Sequence, residues 1–416
     1  MGDPLLRGNV DWGDVALMIG KVGFGFVVGL LATVFMVWFE RKLIGRMQNR
    51  VGPKEAGPFG IIQGLADGIK FFFKEDNRPA NADPLIFRLA PYIATVTALL
   101  SLSVVPIAGD FSDGGDGTVS ILGQRTYGMV ADPPAGILFL LAMSSIAVYG
   151  VMLAGWASGS KYPLLGSVRA SAQAISYEAA LGLAVAAVVL VSGTLSTHGI
   201  VMEQAGGIRN WGFLSTGLLP FVIFLIAATA ELNRPPFDLV EAEQELVGGF
   251  HTEYASIRFA LFFLAEFMNV VTLSAIMVTL FFGGPAGPDL GFLPGWLWGF
   301  VWFFTKLLCF LFTFVWFRAT LPRLRYDQLM DLGWKVLIPL SLGWLLILAA
   351  IRLARNGQVD VVEGNEFANI LLVIAVGIGI MLIAAILLSM ASRTARETRL
   401  RERGLVAVAV DGAEEG

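Results

Sequence analysis

Nine stretches of this chain run for about 20 residues with scarcely a charge among them, and that feature constrains the fold more than any other. They lie at Val15–Phe39, Leu85–Ala108, Ala135–Ala157, Tyr177–Leu195, Gly212–Glu231, Phe259–Phe282, Trp296–Phe317, Gly333–Ile351 and Phe367–Ala391. As helices rising 1.5 Å per residue, such runs cover the roughly 30 Å of a bilayer's hydrocarbon. Open sheet edges and irregular backbone cannot face lipid, so the expected fold is an all-α polytopic membrane bundle of about nine transmembrane helices. The composition, 56% hydrophobic and 15% charged, belongs to no ordinary soluble domain.

The opening MGDPLLRGNVDWGDVALM shows neither the basic start nor the small-residue cleavage site of a signal peptide, so the first run is expected to stay as a span. Alternating the loops across the bilayer collects most of the 29 Lys and Arg on one side. The positive-inside rule makes that side cytoplasmic, which puts the amino terminus outside and the RTARETRLRERG tail in the cytoplasm.

Several chemistries are excluded by what the chain lacks. It has one cysteine, Cys309, and two distant histidines, His198 and His251, too few thiolates for an iron–sulfur cluster and too few ligands for a zinc site. No GxxxxGK[ST] loop or strand-to-helix GxGxxG marks a nucleotide site, and no metal site is expected. The glycines of GKVGFGFVVG lie inside an apolar run, where small residues serve close helix packing. The basic clusters follow membrane topology and carry no nucleic-acid motif.

Two connecting loops differ in character. GDFSDGGDGTVSILGQRTYGMVADPP is acidic and Gly-rich, as expected of a flexible exterior segment. In the first cytoplasmic loop, Ile61, Leu65, Ile69 and Phe72 fall at helical spacing while Gln63, Asp67, Lys70 and Lys74 fall on another face, which predicts an amphipathic helix in the interface plane. Such a helix suits a membrane-surface anchor, or the wall of a lipid-accessible cavity with its polar face against another subunit. No internal repeat stands out, which counts against an inverted-repeat transporter. The residues beyond about 404 give no organised signal and read as a disordered tail.

The stretch ELNRPPFDLVEAEQELVGGFHTEY, residues 231–254, sets six carboxylates and one arginine between two apolar runs. Asp238, Glu241 and Glu245 stand at i, i+3 and i+7, one face if the segment is helical, with Glu243 pointing elsewhere. Glu231 ends one apolar run, Glu253 shortly precedes the next, and Pro235 and Pro236 stop the fifth helix from continuing. Crowded, buried carboxylates can hold and pass protons; the other reading is a solvated acidic loop. Lys21, Arg88, Glu178, Glu266 and Lys306 sit in or at the edges of the spans, where charge is costly and usually faces a bundle interior or a wet cavity. Arg88 is expected to snorkel, and Glu178 and Glu266 suit either a polar pathway or interior ion pairs.

At these residues the sequence stops being generic. ERKLIGRMQNRVGP at 40–53, ADGIKFFFKED at 66–76, RASAQAISYE at 169–178, the acidic stretch at 231–254, FALFFLAEF at 259–267 and WFRATLPRLRYDQLMDLGWK at 316–335 together resemble the quinone-site membrane subunit of respiratory complex I. The match runs in order from about 15 to 351, so residues 1–355 are taken as the family core, 356–404 as an additional helix with a basic tail, and 405–416 as its disordered end.

The resemblance implies a subunit that forms much of a quinone tunnel and the first acidic path toward proton-pumping modules. Electrons would reach the quinone, ubiquinone or menaquinone, from NADH through FMN and iron–sulfur clusters in partner subunits. It places Glu40 and Arg41 near the tunnel entrance, Asp67 and Lys70 on the amphipathic helix, and Phe263 and Arg318 along the tunnel. Its acidic path comprises Glu178, Glu231, Glu241, Glu243, Glu245 and Glu266, to which Asp238 and Glu253 of the same loop are added. The implied partners are the other membrane and peripheral subunits, quinone and the lipid bilayer.

Two features depart from the family pattern. ELNRPPF stands where many relatives carry ETNR, a small residue and PF, which leaves the acid in place. The ninth run and basic tail exceed the usual eight-helix core; with Arg outnumbering Lys 21 to 8 they suggest a bacterial plasma membrane. The competing readings are the homologous component of a membrane-bound hydrogenase or other non-NADH dehydrogenase, and an independent proton-coupled transporter.

Overall fold

The computed structural model describes residues 3–6, 11–111, 115–121, 123–239, 246–288 and 294–355. The chain divides into two compact units, Met1–Met330 and Asp331 onward. Among the described residues seven helices are long and apolar enough to cross a membrane, and Leu218–Glu231 is a shorter apolar helix. Eight of the nine apolar runs thus coincide with helices; the ninth, Phe367–Ala391, lies outside the described residues. The chain is an all-α polytopic membrane protein.

The first unit opens with α1, Trp12–Met47, started by a capping box in which Asp11 and Asp14 satisfy each other's backbone N–H groups. It runs eight residues past the apolar run and so carries Glu40 and Arg41 on its final turns. The predicted amphipathic helix forms as α2, Gln63–Phe73, and rests on α1 and on a later helix that begins at Ser256. The Ser256 hydroxyl lies 2.9 Å from Phe71 O and 2.7 Å from Lys74 O, which pins the end of α2. Leu65, Ile69 and Phe72 of α2 remain exposed, an apolar face that the first unit does not cover.

Five further helices build the ring that matters for function. They are α3 (Pro84–Leu102), α4 (Gly136–Ala157), α5 (Lys161–Ser192), α8 (Leu218–Glu231) and α9 (Ser256–Phe281). Each packs on the next, and α9 closes the circle against α3 and α8. The shorter α6 (Thr197–Gln204) and α7 (Gly212–Ser215) link α5 to α8. α9 is the centre of the bundle, with every residue from Val270 to Phe281 buried. On its other side it meets α1 and α10, Gly295–Thr320. The outer sides carry exposed large apolar residues such as Ile19, Phe24 and Leu31 of α1, surface suited to lipid or to neighbouring apolar helices.

The acidic Gly-rich segment departs from the flexible loop its composition suggests. It holds an antiparallel hairpin, β1 (Thr118–Ile121) with β2 (Gln124–Tyr127), in which Val119 pairs with Thr126. Val, Ile, Thr and Tyr favour a pleated surface, and these few β-formers outweigh the glycines around them. Lys21 fixes the hairpin from α1, its Nζ lying 2.6 Å from Asp3 and 2.7 Å from Thr126.

In the second unit, a π-helical turn at Leu332–Leu337, where Lys335 pairs with Asp331 at 2.7 Å, leads into a helix over Ile338–Arg355.

Candidate functional site

The centre of the site is a turn. After α8 ends at Glu231, the backbone N–H groups of Leu232, Asn233 and Arg234 still bond to Ala228, Ala230 and Thr229 O, and Asn233 takes a positive φ of 51°. Pro235 and Pro236 then forbid further helix. Gln173 of α5 staples the turn from both sides, donating to Ala230 O at 2.8 Å and to Phe237 O at 2.8 Å. A single buried side-chain amide therefore fixes the direction in which residues 231–237 leave the helix, and with it the aim of Arg234.

Arg234 is 3% exposed and points into a cluster of charges drawn from three helices. Its Nη1 donates to Glu40 Oε2 of α1 at 2.9 Å, and its Nη2 lies 3.3 Å from Glu266 Oε1 of α9. Its guanidinium also sits 4.9 Å from the centre of the Phe267 ring. Arg318, near the end of α10, donates to the other oxygen of Glu40. Glu40 is itself buried, and a carboxylate removed from water in this way requires such partners. Beyond it lies a shallow recess lined by Glu40, Arg41, Ile44 and Arg50.

Inside the helix ring is a partly open cleft. Its lining includes the carboxylates Glu231 and Glu266, His251, and the hydroxyls of Ser144, Ser171 and Thr272. Phe263 lines it too and packs on Phe267 with ring centres 4.5 Å apart. The Ser144 hydroxyl bonds to Glu231, and the next residue, Ser145, bonds to Glu178 of α5. Two adjacent serines of α4 thus hold carboxylates from two different helices. The Ser171 and Thr272 hydroxyls and Glu231 Oε2 are buried without a hydrogen-bond partner in the protein, so the cleft presents polar atoms with capacity to spare.

Two candidate sets separated in the sequence therefore meet in space. Glu40 and Arg318 share one cluster with Glu266, while Glu231, Glu266 and Phe263 share one cleft; Glu178 is not among its lining residues but is held by Ser145, the neighbour of the lining Ser144. Arg41 and Asp67 form a separate pair at 2.6 Å between α1 and α2, with Gln63 donating to the same carboxylate at 3.1 Å. Lys70 is exposed on α2, Arg88 is exposed on α3, and Asp238 and Glu253 are half-buried in the segments flanking the acidic loop. Glu241, Glu243 and Glu245 lie outside the described residues.

Sequence reasoning passed over Arg234, Gln173, Ser144 and Ser145. Arg234 did carry a signal, as the lone arginine among six carboxylates. The serines and the glutamine carried none, because uncharged polar residues are unremarkable in a transmembrane helix until their partners are known.

A ring of five helices, four of them long and apolar enough to cross a membrane, encloses a carboxylate-edged cleft beside a buried ion-pair cluster, which defines a polytopic membrane protein with ionisable groups inside its helix bundle. Known proteins narrow the class. A family model described as NADH dehydrogenase matches residues 21–349. The H subunit of NADH-quinone oxidoreductase from Frankia alni is 49% identical over 415 residues, covering 98% of this chain and 87% of the relative. The same protein from Frankia casuarinae gives the same figures, and that from Streptomyces avermitilis is 43% identical over 389 residues, 92% of this chain and 82% of the relative. The chain belongs to this family, the H subunits of NADH-quinone oxidoreductase, an oxidoreductase complex of several different chains.

Proposed function

We propose that this chain forms much of the quinone path of a proton-translocating NADH-quinone oxidoreductase, together with the first acidic path from that site into the membrane. The observation that carries the reading is the cleft inside the helix ring: Glu231 and Glu266 line it among hydroxyls, and Glu266 also belongs to the ion-pair cluster of Glu40. Groups of this kind at membrane depth are costly and are kept where ions or protons move.

Glu40, Arg41, Asp67, Lys70, Phe263 and Arg318 are assigned to the quinone path. Glu178, Glu231, Asp238, Glu241, Glu243, Glu245, Glu253 and Glu266 are assigned to the acidic path. Quinone reduction takes up two electrons and two protons and introduces negative charge on the way. Carboxylates within a few ångströms respond through the low-dielectric interior, where charge interactions are several times stronger than in water. The change in proton occupancy then passes along the acids. FMN and the iron–sulfur clusters belong to partner subunits, since one cysteine cannot ligate a cluster. Residues up to 355 form the core, the chain lies in a bacterial plasma membrane, and its amino terminus faces outward.

The test begins with the tagged chain isolated from its native membrane in mild detergent. Flavin and iron–sulfur spectra and inhibitor-sensitive NADH:quinone activity are expected to co-purify with it. In proteoliposomes, Glu231→Gln is expected to lower the protons moved per electron in an assembled complex. An intact preparation without flavin or clusters, or normal pumping by Glu231→Gln, would reject the reading.

A further inference from the structure

We propose that Arg234 is the positioning residue that links the two halves of the site: its guanidinium shifts between Glu40 and Glu266, so that a charge change beside one carboxylate is felt at the other. The inference rests on the quinone-path and acidic-path reading above and assigns its connection to one side chain.

The geometry is unusual for a buried arginine. A guanidinium that serves one carboxylate presents two parallel N–H groups to its two oxygens. Arg234 instead donates to Glu40 at 2.9 Å through one terminal nitrogen and holds the other 3.3 Å from Glu266, on a different helix, as an ion pair. The two acids face different spaces, Glu40 the recess at the end of α1 and Glu266 the cleft in the helix ring. Phe267 lies against the guanidinium and restricts the plane in which it moves, so a small sideways displacement exchanges one acid for the other.

Charge sets the direction. Arg318, Glu40, Arg234 and Glu266 form an alternating row of two cations and two anions. A negative charge arriving beside Arg318 weakens its hold on Glu40, which then draws Arg234 more strongly and leaves Glu266 less well compensated. A proton taken by Glu40 has the opposite effect and releases Arg234 toward Glu266. Each event shifts the balance between two of the side chain's acidic neighbours, the local bias that coupling between sites requires. The turn stapled by Gln173 fixes the base of the arginine, so motion at its tip carries the change. Lysine would keep the charge, but its single ammonium lacks the planar fork that spans two acids.

The test uses the whole complex in proteoliposomes, with Arg234→Lys, Arg234→Gln, Glu266→Gln and the double variant Arg234→Lys/Glu266→Gln. NADH oxidation by a water-soluble acceptor reports on assembly, and quinone kcat, quinone KM and protons per electron report on function. Arg234→Lys is expected to assemble, to keep quinone KM within about twofold, and to lower protons per electron by at least about twofold, with no further loss in the double variant. A wild-type proton ratio in Arg234→Lys overturns the proposal. So do losses that add in the double variant, and so does failure of Arg234→Lys to assemble with its charge retained, which would make the residue a scaffold. Should Glu266→Gln alone pump normally, the acidic-path reading falls instead; should Glu266→Gln fail and Arg234→Lys pump normally, only the role of Arg234 falls.

Discussion

Glu40 and Arg234 stand 194 residues apart in the sequence and 2.9 Å apart in the fold, both buried. With Arg318 on its other oxygen, Glu40 separates two guanidinium groups. Removing one partner of a buried ion pair typically costs about 3–5 kcal/mol, because the remaining charge is left uncompensated. Glu40→Gln leaves two such charges facing each other. The variant complex is expected to lose quinone reductase activity on heating at a clearly lower temperature than the native one, with Glu40→Asp in between. Equal heat resistance of Glu40→Gln and the native protein would show that the cluster contributes little to holding α1, α9 and α10 together.

Ser144 and Ser145 make a second prediction. The Ser145 oxygen contacts Glu178 and also lies 3.0 Å from Leu141 O. One hydroxyl can therefore serve Glu178 in either state: it donates to the carboxylate, or it accepts from the carboxylic acid while turning its own proton to Leu141 O. Hydrogen bonds to charged groups contribute about 1.5–3 kcal/mol. Ser145→Ala is expected to slow quinone-coupled proton uptake by roughly ten- to a hundredfold if that whole difference reaches the transfer step, and Ser145→Thr, which keeps a hydroxyl, to stay near the native rate. Stopped-flow measurement of proton uptake by the two variants decides it, and equal rates would remove Ser145 from the path.

Lys306 has a structural task. From α10 it reaches the end of α9 and donates to Phe282 O at 2.7 Å, Gly284 O at 3.0 Å and Ala286 O at 2.6 Å, while lying 4.5 Å from the centre of the Trp211 ring. Three ammonium protons meet three carbonyls at the negative end of a helix, so every donor is used. The turn they hold needs positive φ at Gly283 and Gly284, 71° and 52°. Lys306→Met leaves carbonyls unpaired at about 1–3 kcal/mol each. Faster amide exchange at 282–286 is the expected result, read by mass spectrometry, while unchanged protection would mean that the backbone closes this turn without help.

Much of the fold was legible because membrane spans are announced by length and hydropathy, and neither depends on tertiary context. The boundaries were less so. Helix α5 begins at Lys161, well before the apolar run at Tyr177, because Lys161, Arg169 and Gln173 dilute the hydropathy of residues that are nonetheless helical. The hairpin at 118–127 was hidden by its acidic, Gly-rich surroundings. In the site, the carboxylates were visible as ionisable groups at membrane depth, but their grouping was not. Arg318 and Glu40 are 278 residues apart, and no local pattern predicts that pairing.

His198 gives a pH prediction outside the spans. It lies on α6, buried, stacked on Tyr127 with ring centres 3.8 Å apart and tilted against Phe111 at 5.6 Å. Burial pushes its imidazole down to about 4 from an ordinary value of 6.5. A lowered histidine pKa means that the folded state holds the neutral ring and the unfolded state binds the extra proton. Stability from this group is therefore complete above pH 6.5, falls as pH drops toward 4, and levels off below that. The whole window is worth at most about 3 kcal/mol, from 1.36 kcal/mol per pKa unit. Hydrogen exchange at the 118–127 hairpin, corrected for the intrinsic pH dependence of exchange, is expected to show falling protection between pH 7 and pH 5 in the native protein. His198→Phe keeps the ring stack but cannot take a proton, so its protection should stay flat over the same range. If both proteins lose protection in parallel, the titrating group is one of the hairpin's neighbouring carboxylates and the imidazole is a passive part of the packing.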